Sequence, residues 1–250
     1  MVMTPSASET RLIAMLIDGD NAQPSLLEHI LAETAKYGVV TTRRIYGDWT
    51  QQQMGGWKEA LHVHAIQPVQ QFRYTVGKNA TDSALIIDAM DLLHTRALGG
   101  FCLVSSDSDF TRLATRIRED GLPVYGFGEQ KTPKAFIQAC DRFIYTEIFR
   151  TKAASPSAKT PPTKPEPLRN LNNDQAFRAA LDQSIEKATS EEGRAHLGAV
   201  GTQLLKLLPD FDPRNYGFQK LSELVASIPN LKLDRHKNSA GNQTLYVTRK

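Results

Sequence analysis

Five aspartates stand at places in this chain where carboxylates could gather around a metal ion. Asp18 and Asp20 follow the apolar run LIAMLI, and Asp107 and Asp109 follow the run FCLV after two serines. Asp82 stands at the start of the helix-forming segment TDSALIIDAM. Carboxylates that a fold brings together repel one another and raise one another's pKa, so they need a counter-charge. A hard divalent cation bound through oxygen ligands is the usual one.

Carboxylates in this pattern suit the hydrolysis of a phosphodiester, in which one or two Mg²⁺ or Mn²⁺ ions would activate a water. We assign direct metal binding to Asp18 and Asp107, because each follows an apolar strand. Asp82 is expected to be a further metal ligand or to orient the attacking water. Asp109 is expected to hold a second ion, directly or through water. Asn21 would support the site by fixing a carboxylate or contacting the phosphate.

Ordinary structural roles compete for several of these acids. Asp109 could cap the helix that begins after it, and Asp82 could be a first-turn acid favoured by the helix dipole. Asp20 could simply shape a turn. At about 100° per residue, Asp88 and Asp91 lie roughly 240° and 180° around the helix from Asp82. Both are therefore expected on a solvated face.

The segments around these aspartates alternate between strand and helix patterns. Such alternation predicts an α/β, Rossmann-like parallel sheet with helices on both faces. Ligands bind beyond the carboxyl ends of such strands, where the strand order reverses. Asp18 and Asp107 would meet there if their strands are neighbours. The predicted strands are residues 12–17, 39–46, 63–69, 101–104, 123–127 and 143–145, and the predicted helices are residues 24–37, 57–60, 82–95, 110–119 and 133–140.

A change in composition divides the chain into two domains. Residues 151–172 are rich in Pro, Ala and Lys and predict a flexible linker. Residues 1–10 predict a disordered leader, which leaves a first domain over residues 11–150. Residues 173–250 predict a small winged-helix domain. Its helices are expected at 176–188, 197–208 and 218–226, and its hairpin strands at 231–234 and 244–248.

Composition argues against several other kinds of protein. No apolar run approaches the roughly 18 residues that a membrane span needs. Cys102 and Cys140 are too few for a disulfide framework and predict a reduced, cytoplasmic protein. His62 and His64 alternate within a predicted strand and could bind a metal, but no third ligand stands at a suitable spacing.

A modest basic excess is compatible with nucleic-acid binding. The chain carries a formal net charge of +3, and the excess lies in the linker and the C-terminal part rather than beside the aspartates. Arg44 and Lys78 are candidates for phosphate contact, and Lys78 is the better placed because it lies four residues before Asp82. Trp49 and Tyr74 could stack on bases or pack in the ordinary way.

Three blocks of this sequence together resemble the NYN domain, a PIN-like ribonuclease family, in its bacterial LabA-like branch. The blocks are LIDGDN, KNATDSALIIDAMD and LVSSDSDF. The resemblance implies a metal-dependent ribonuclease with Asp18, Asp82 and Asp107 as catalytic acids and with Asn21 and Asp109 in support. Asp88 also matches a family aspartate. PIN-like domains often dimerise, so the resemblance predicts a homodimer.

The C-terminal stretch FDPRNYGFQKLSELVAS resembles the LOTUS or OST-HTH domain. That resemblance implies a winged-helix module that binds RNA or docks on a protein partner. Its candidate RNA contacts are Lys220, Arg235, His236, Lys237 and Arg249.

Two other functions compete with a nuclease that carries an RNA-binding module. The sequence DGD after the first strand superficially fits a haloacid-dehalogenase-type phosphohydrolase, with Asp18 as a covalent nucleophile and Asp20 as an acid. That family needs Thr or Val soon after the second aspartate, where this chain has Asn21. The other alternative is a non-catalytic regulator that binds RNA or protein with the same fold.

Overall fold

The chain folds into two compact units, Met1–Thr146 and Glu147–Lys250. The computed structural model describes residues 10–72, 80–95, 97–150, 167–191, 193–237 and 243–250. Most of the predicted leader and most of the predicted linker lie outside these ranges. Each unit buries its own set of apolar side chains.

A six-stranded parallel sheet forms the centre of the first unit. Its strands are β1 (Leu12–Asp18), β2 (Val39–Gly47), β3 (Gln67–Gln70), β4 (Gly100–Val104), β5 (Val124–Gly128) and β6 (Arg142–Tyr145). They lie in the order β3-β2-β1-β4-β5-β6. β4 and β5 are buried along their whole length, and β1 is buried from its second residue onward. Unbroken apolar runs favour such central strands because helices cover both faces of the sheet.

The strand order reverses between β1 and β4. β1 pairs with β2 on one side and with β4 on the other, and Ile17 lies opposite Val104. The carboxyl ends of β1 and β4 are therefore neighbours, which was the condition for Asp18 and Asp107 to lie at one crevice. Asp18 ends β1, and Asp107 follows three residues after the end of β4, so both lie where such sheets bind ligands.

Helices connect the strands of this sheet. They are α1 (Leu27–Thr34), α2 (Trp57–Val63), α3 (Ala80–Thr95), α4 (Thr111–Glu119) and α5 (Lys134–Ala139). α3 packs on β1 and β2. Leu85, Ala89, Leu92 and Leu93 form its buried stripe, at the spacing of one helical face. This packing brings the first turn of α3 to the end of β1.

One predicted strand is partly wrong. The sequence predicted a strand over residues 63–69, but α2 continues to Val63 and β3 begins at Gln67. The buried ring of Trp57 anchors α2, and the chain turns at Ala65, whose φ is 50°. His62 lies in α2 and His64 follows its last residue. The two histidines therefore do not lie on one face of a strand, so the structure does not support a metal site formed by them.

The second unit combines helices with a small antiparallel sheet. Its helices are α6 (Glu147–Arg150), α7 (Gln175–Ala188), α8 (Leu197–Leu207) and α9 (Leu221–Ala226). The strands β7 (Ala195–His196), β8 (Leu231–Lys237) and β9 (Gln243–Arg249) lie in the order β7-β9-β8. The three predicted helices and the hairpin are confirmed, but the third helix begins at Leu221 instead of residue 218. The two-residue β7 was too short to predict. None of the helices in the described ranges is long and apolar enough to cross a membrane.

A network of polar residues lies against the core of the second unit and connects its segments. Asp174 caps α7 by accepting the backbone N–H of Phe177 at 2.9 Å, and it also accepts the hydroxyl of Tyr216 at 2.8 Å. The rings of Phe177 and Tyr216 lie 4.9 Å apart. Arg169, within the segment predicted to be a linker, donates its backbone N–H to the carbonyl of Asn215 at 2.8 Å. The second unit therefore includes the end of that segment.

Candidate active site

Asp18 is a fully buried carboxylate at the end of β1. One of its oxygens, Oδ2, accepts hydrogen bonds from Asn21 Nδ2 and Ser105 Oγ, both at 2.7 Å. The other, Oδ1, accepts the backbone N–H of Asp20 at 3.1 Å. Burial raises the pKa of Asp18, and the hydrogen bonds from Ser105 and Asn21 oppose that rise. Asn21 thus fixes a carboxylate, which is one of the two roles expected for it.

Ser105 connects the two strand ends that carry the acids. It follows β4 and donates its backbone N–H to the carbonyl of Phe127 at 2.9 Å. Its hydroxyl donates to Asp18 and accepts the backbone N–H of Asp107 at 3.0 Å. Because one hydroxyl serves both residues, it ties the carboxylate of Asp18 to the loop that carries Asp107.

Asp107, rather than Asp109, is the helix cap in the second acidic block. The side chain of Asp107 accepts the backbone N–H of Asp109 at 2.9 Å and caps the short 3-10 helix that runs from Ser108 to Phe110. This helix begins two residues earlier than the sequence predicted, which moves the capping position to Asp107. Asp109 is exposed in the first turn.

Asp82 lies in the first turn of α3, and the negative charges of the other acids influence its pKa. Burial raises its pKa to about 6, and the negative charges of Asp18, Asp107, Asp109 and Asp20 contribute in that order. Like charges raise a carboxylate pKa only when they lie close enough to repel it. The first turn of α3 therefore lies near the same edge of the sheet as Asp18 and Asp107.

The acids share this region without converging on one point. Among the described residues, no three His, Cys, Asp or Glu side chains are arranged to hold an ion as they stand. The donors are carboxylate oxygens, which Mg²⁺ and Mn²⁺ prefer. The chemistry of the donor set thus fits a hard divalent cation.

Asp88 contacts the sheet, and only about a quarter of its side chain is exposed. Its carboxylate accepts hydrogen bonds from Arg44 and from the hydroxyl of Tyr46, both on β2. The expectation that Asp88 is solvated was wrong, because α3 turns that part of its surface toward β2. Tyr46 lies opposite Asp18 in the strand register, so the contact lies beside the acidic edge. Burial and Asp88 raise the pKa of Tyr46.

The basic residues predicted to contact RNA have different surroundings. Arg44 forms an ion pair with Asp88, with about a fifth of its side chain exposed. Lys220 and Arg235 are exposed on the second unit, while Lys237 ends β8. Lys78, like the stacking candidate Tyr74, lies outside the described residues. The RNA contacts of all these side chains stay predictions.

The six-stranded parallel sheet with its flanking helices makes the first unit an α/β domain of the PIN-like fold. The family model for the NYN domain matches residues 12–148, and that for the OST-HTH/LOTUS domain matches residues 172–243. The chain therefore belongs to the NYN domain family and carries an OST-HTH/LOTUS domain after it. Both predicted resemblances are confirmed. The NYN domain belongs to a nuclease superfamily, and OST-HTH/LOTUS domains bind RNA.

Solved structures similar to this chain include the following three. A protein of unknown function from Vibrio parahaemolyticus has 18% identity and a TM-score of 0.46, over 55% of this chain and 94% of that one. An uncharacterized protein from Nitrosomonas europaea has 31% identity and a TM-score of 0.31, over 40% and 90%. A protein from Chromobacterium violaceum has 29% identity and a TM-score of 0.26, over 30% and 80%. No curated protein matches this chain.

Proposed function

We propose that this protein is a metal-dependent ribonuclease that hydrolyses RNA phosphodiester bonds at the acidic edge of its first unit. The observation that supports it most is the pKa of Asp82, which burial and four neighbouring carboxylates raise to about 6. A fold that gathers such charges at the switch point of a parallel sheet has a place for a cation and for an anionic substrate.

Asp18, Asp82 and Asp107 are the catalytic acids in this proposal, and together with Asp109 they hold Mg²⁺ or Mn²⁺. A bound ion supplies charge neutralisation at the phosphate and a water of lowered pKa. The chain itself positions the carboxylates. Ser105 and Asn21 fix the orientation of Asp18.

The proposed role of Asp82 follows from the pH range in which its carboxylate titrates. Its pKa of about 6 lies close to neutral pH, where a carboxylate can give up its proton to make room for a cation or take a proton from a water. We therefore assign to Asp82 either metal binding or orientation of the attacking water. The family assignment favours this hydrolytic site over a phosphohydrolase that uses Asp18 as a covalent nucleophile.

The OST-HTH/LOTUS domain is proposed to hold the substrate. A tethered RNA-binding domain raises the local concentration of RNA at the acids. Lys220 and Arg235 are exposed on it, and removing one cation that binds a phosphate should lower the slope of log affinity against log salt by about 1. The change Lys220→Gln tests this, with Lys206→Gln on α8 as a matched control.

A protein partner on this domain and a homodimer in solution are further proposals from the same families.

A cleavage assay tests the proposed function. Labelled single-stranded RNA, hairpin RNA and matched DNA are incubated with the full chain in Mg²⁺, Mn²⁺ or EDTA. We expect RNA cleavage that needs the metal and disappears in Asp107→Asn. Asp91→Asn is a matched control because Asp91 is an exposed aspartate on α3. RNA binding without metal-dependent cleavage would instead favour a non-catalytic regulator.

A further inference from the structure

A loop with an uncommon composition follows β2 at the acidic edge. Residues 48–56, here called the Trp49 loop, read DWTQQQMGG and contain three consecutive glutamines but no Lys or Arg. Gln53 Nε2 donates to Asp20 Oδ1 at 3.4 Å. A Cβ on Gly19, next to Asp18, would lie 2.7 Å from Met54 Cε. These contacts make the Trp49 loop one side of the acidic edge.

The first part of the Trp49 loop is fixed by a buried carboxylate. Asp48 is 4% exposed, and its oxygens accept four hydrogen bonds. The donors are the backbone N–H and hydroxyl of Thr50 at 3.2 and 2.6 Å, Gln51 Nε2 at 3.2 Å and Gln70 Nε2 at 3.0 Å. The hydroxyl of Thr50 contributes most to holding the pKa of Asp48 well below its ordinary value. Asp48 therefore stays charged and joins Thr50 and Gln51 of the loop to Gln70 at the end of β3.

Trp49 is held in place by both of its N–H groups. Its backbone N–H donates to Gln70 Oε1 at 3.0 Å, and its indole N–H donates to the carbonyl of Val69 at 3.1 Å. The ring is only partly buried, in contrast to Trp57, which is 2% exposed. Because the indole N–H of Trp49 is already hydrogen-bonded, the orientation of the ring is fixed before a ligand binds. A base can then stack on the exposed part of the ring at little cost in side-chain entropy.

The polarity of the Trp49 loop favours bases over phosphates as its ligands. Gln51, Gln52 and Gln53 are exposed, and their amides can donate to and accept from base edges. The loop has no cation to attract the RNA backbone. An aromatic side chain stacks on bases only where they are unpaired, since paired bases in a duplex already stack on each other.

We infer that Trp49 is the stacking site for an unpaired base of single-stranded RNA beside the acidic edge. This inference rests on the proposed ribonuclease function and adds a substrate class to it. The ring fixes one nucleotide, and the nearby glutamines contact its edges. RNA in which that nucleotide is unpaired is therefore bound more tightly than a continuous duplex.

The test measures RNA affinity in the full chain with cleavage blocked by Asp107→Asn. Fluorescence anisotropy reports binding of a labelled single strand of about 10 nucleotides, within the usual site size for such contacts. Trp49→Leu should raise Kd about 5- to 150-fold, the range that one stacked base is worth. Trp49→Phe should raise it less than about 5-fold, because a phenyl ring still stacks.

A scan of the RNA with single abasic sites identifies the stacked base. At one position, removal of the base should weaken binding to the protein that has Trp49. The same removal should not weaken binding to the Trp49→Leu variant any further, because the stacking interaction is already lost there. Equal affinity of Trp49→Leu and Trp49 protein would overturn the inference. It would also be overturned if Trp49→Phe bound as weakly as Trp49→Leu, because the indole N–H anchor would then explain the effect.

Tryptophan emission gives a second readout that needs no change at Trp49. The chain has two tryptophans, and Trp57 is buried, so saturating RNA should quench the emission of Trp49 alone. Unchanged emission at saturation would overturn the inference, even if Trp49→Leu failed to fold. If the protein binds and cleaves RNA equally well without Trp49, this inference is overturned but the proposed ribonuclease function is not. No RNA binding by the wild type overturns both.

Discussion

The hydroxyl of Ser105 donates a 2.7 Å hydrogen bond to Asp18 and accepts the backbone N–H of Asp107 at 3.0 Å. It thereby joins the ends of β1 and β4 at the point where the strand order reverses. Two of the three proposed catalytic acids are thus held by one neutral side chain, which fixes their positions without adding charge to the site.

Replacing Ser105 should damage both stability and activity. Ser105→Ala leaves a buried carboxylate with one fewer donor, which should lower the free energy of unfolding by about 1.5–3 kcal/mol. Cleavage should fall about 10- to 100-fold, as when an outer partner of a metal ligand is removed. Ser108→Ala is the control, because Ser108 is exposed in the same loop. Thermal unfolding and single-turnover cleavage measure the two effects, and wild-type values for Ser105→Ala would contradict the bridging role.

Asp82→Asn should change how stability depends on pH. The pKa of Asp82 is raised from 3.8 to about 6 in the fold, so the folded state binds its proton more tightly than the unfolded state does. The stability that this proton provides is present below pH 3.8 and is lost as the pH rises through 6. The variant lacks this pH-dependent decrease. Relative to wild type it should therefore gain stability between pH 4 and pH 7, on the order of 1 kcal/mol after solvent screening.

Thermal unfolding in EDTA at several pH values tests this prediction. Asp91→Asn is the matched control, since it removes an exposed carboxylate from the same helix. The gain in stability between pH 4 and pH 7 should be larger for Asp82→Asn than for Asp91→Asn. A difference between Asp82→Asn and wild type that does not change between pH 4 and pH 7 would show that neither burial nor the neighbouring charges raise the pKa of Asp82 in the fold.

A divalent cation should stabilise the wild type more than its acid variants. An ion that binds only the folded state at 100 times its Kd adds about 2.7 kcal/mol, which corresponds to a Tm rise of about 5–10 °C for a unit of this size. Mg²⁺ or Mn²⁺ should give most of this rise in Asp91→Asn and much less in Asp82→Asn or Asp107→Asn. Equal rises in all four proteins would place the ion elsewhere.

Arg44 should matter for stability more than for RNA binding. Its guanidinium is paired with Asp88, and removing it takes the cation away from a poorly exposed carboxylate that also accepts the hydroxyl of Tyr46. Arg44→Gln should lower the free energy of unfolding by about 1–3 kcal/mol. The salt dependence of RNA affinity should not change, whereas removal of a cation that binds a phosphate would lower its slope by about 1. A lower slope with unchanged stability would instead support the predicted contact between Arg44 and RNA.

The sequence predicted those parts of the site that local pattern determines. Asp18 and Asp107 each follow an apolar run, and Asp82 opens an amphipathic helix, so strand and helix periodicity alone placed all three. Their meeting followed from the general position of ligands in parallel sheets. Asn21 lies three residues after Asp18, which made its hydrogen bond to that carboxylate a local prediction as well.

Contacts between distant segments were beyond such patterns. The helical angle between Asp82 and Asp88 was sound, but it could not show that β2 covers the side of α3 on which Asp88 lies. The shift of the helix cap from Asp109 to Asp107 depends on a 3-10 turn that propensity does not distinguish from the helix it precedes. The strand predicted over residues 63–69 failed because a short apolar segment fits a helix as well as a strand.

The most direct test of the proposed site is the rate of metal-dependent RNA cleavage by four single variants of the full chain, measured beside the wild type. Asp18→Asn, Asp82→Asn and Asp107→Asn should each cleave at least about 100-fold more slowly, while Asp91→Asn should cleave at the wild-type rate. Folding of each variant is checked by thermal unfolding in the same buffer. Undiminished cleavage by all three acid variants would contradict the assignment of the active site to this edge of the sheet.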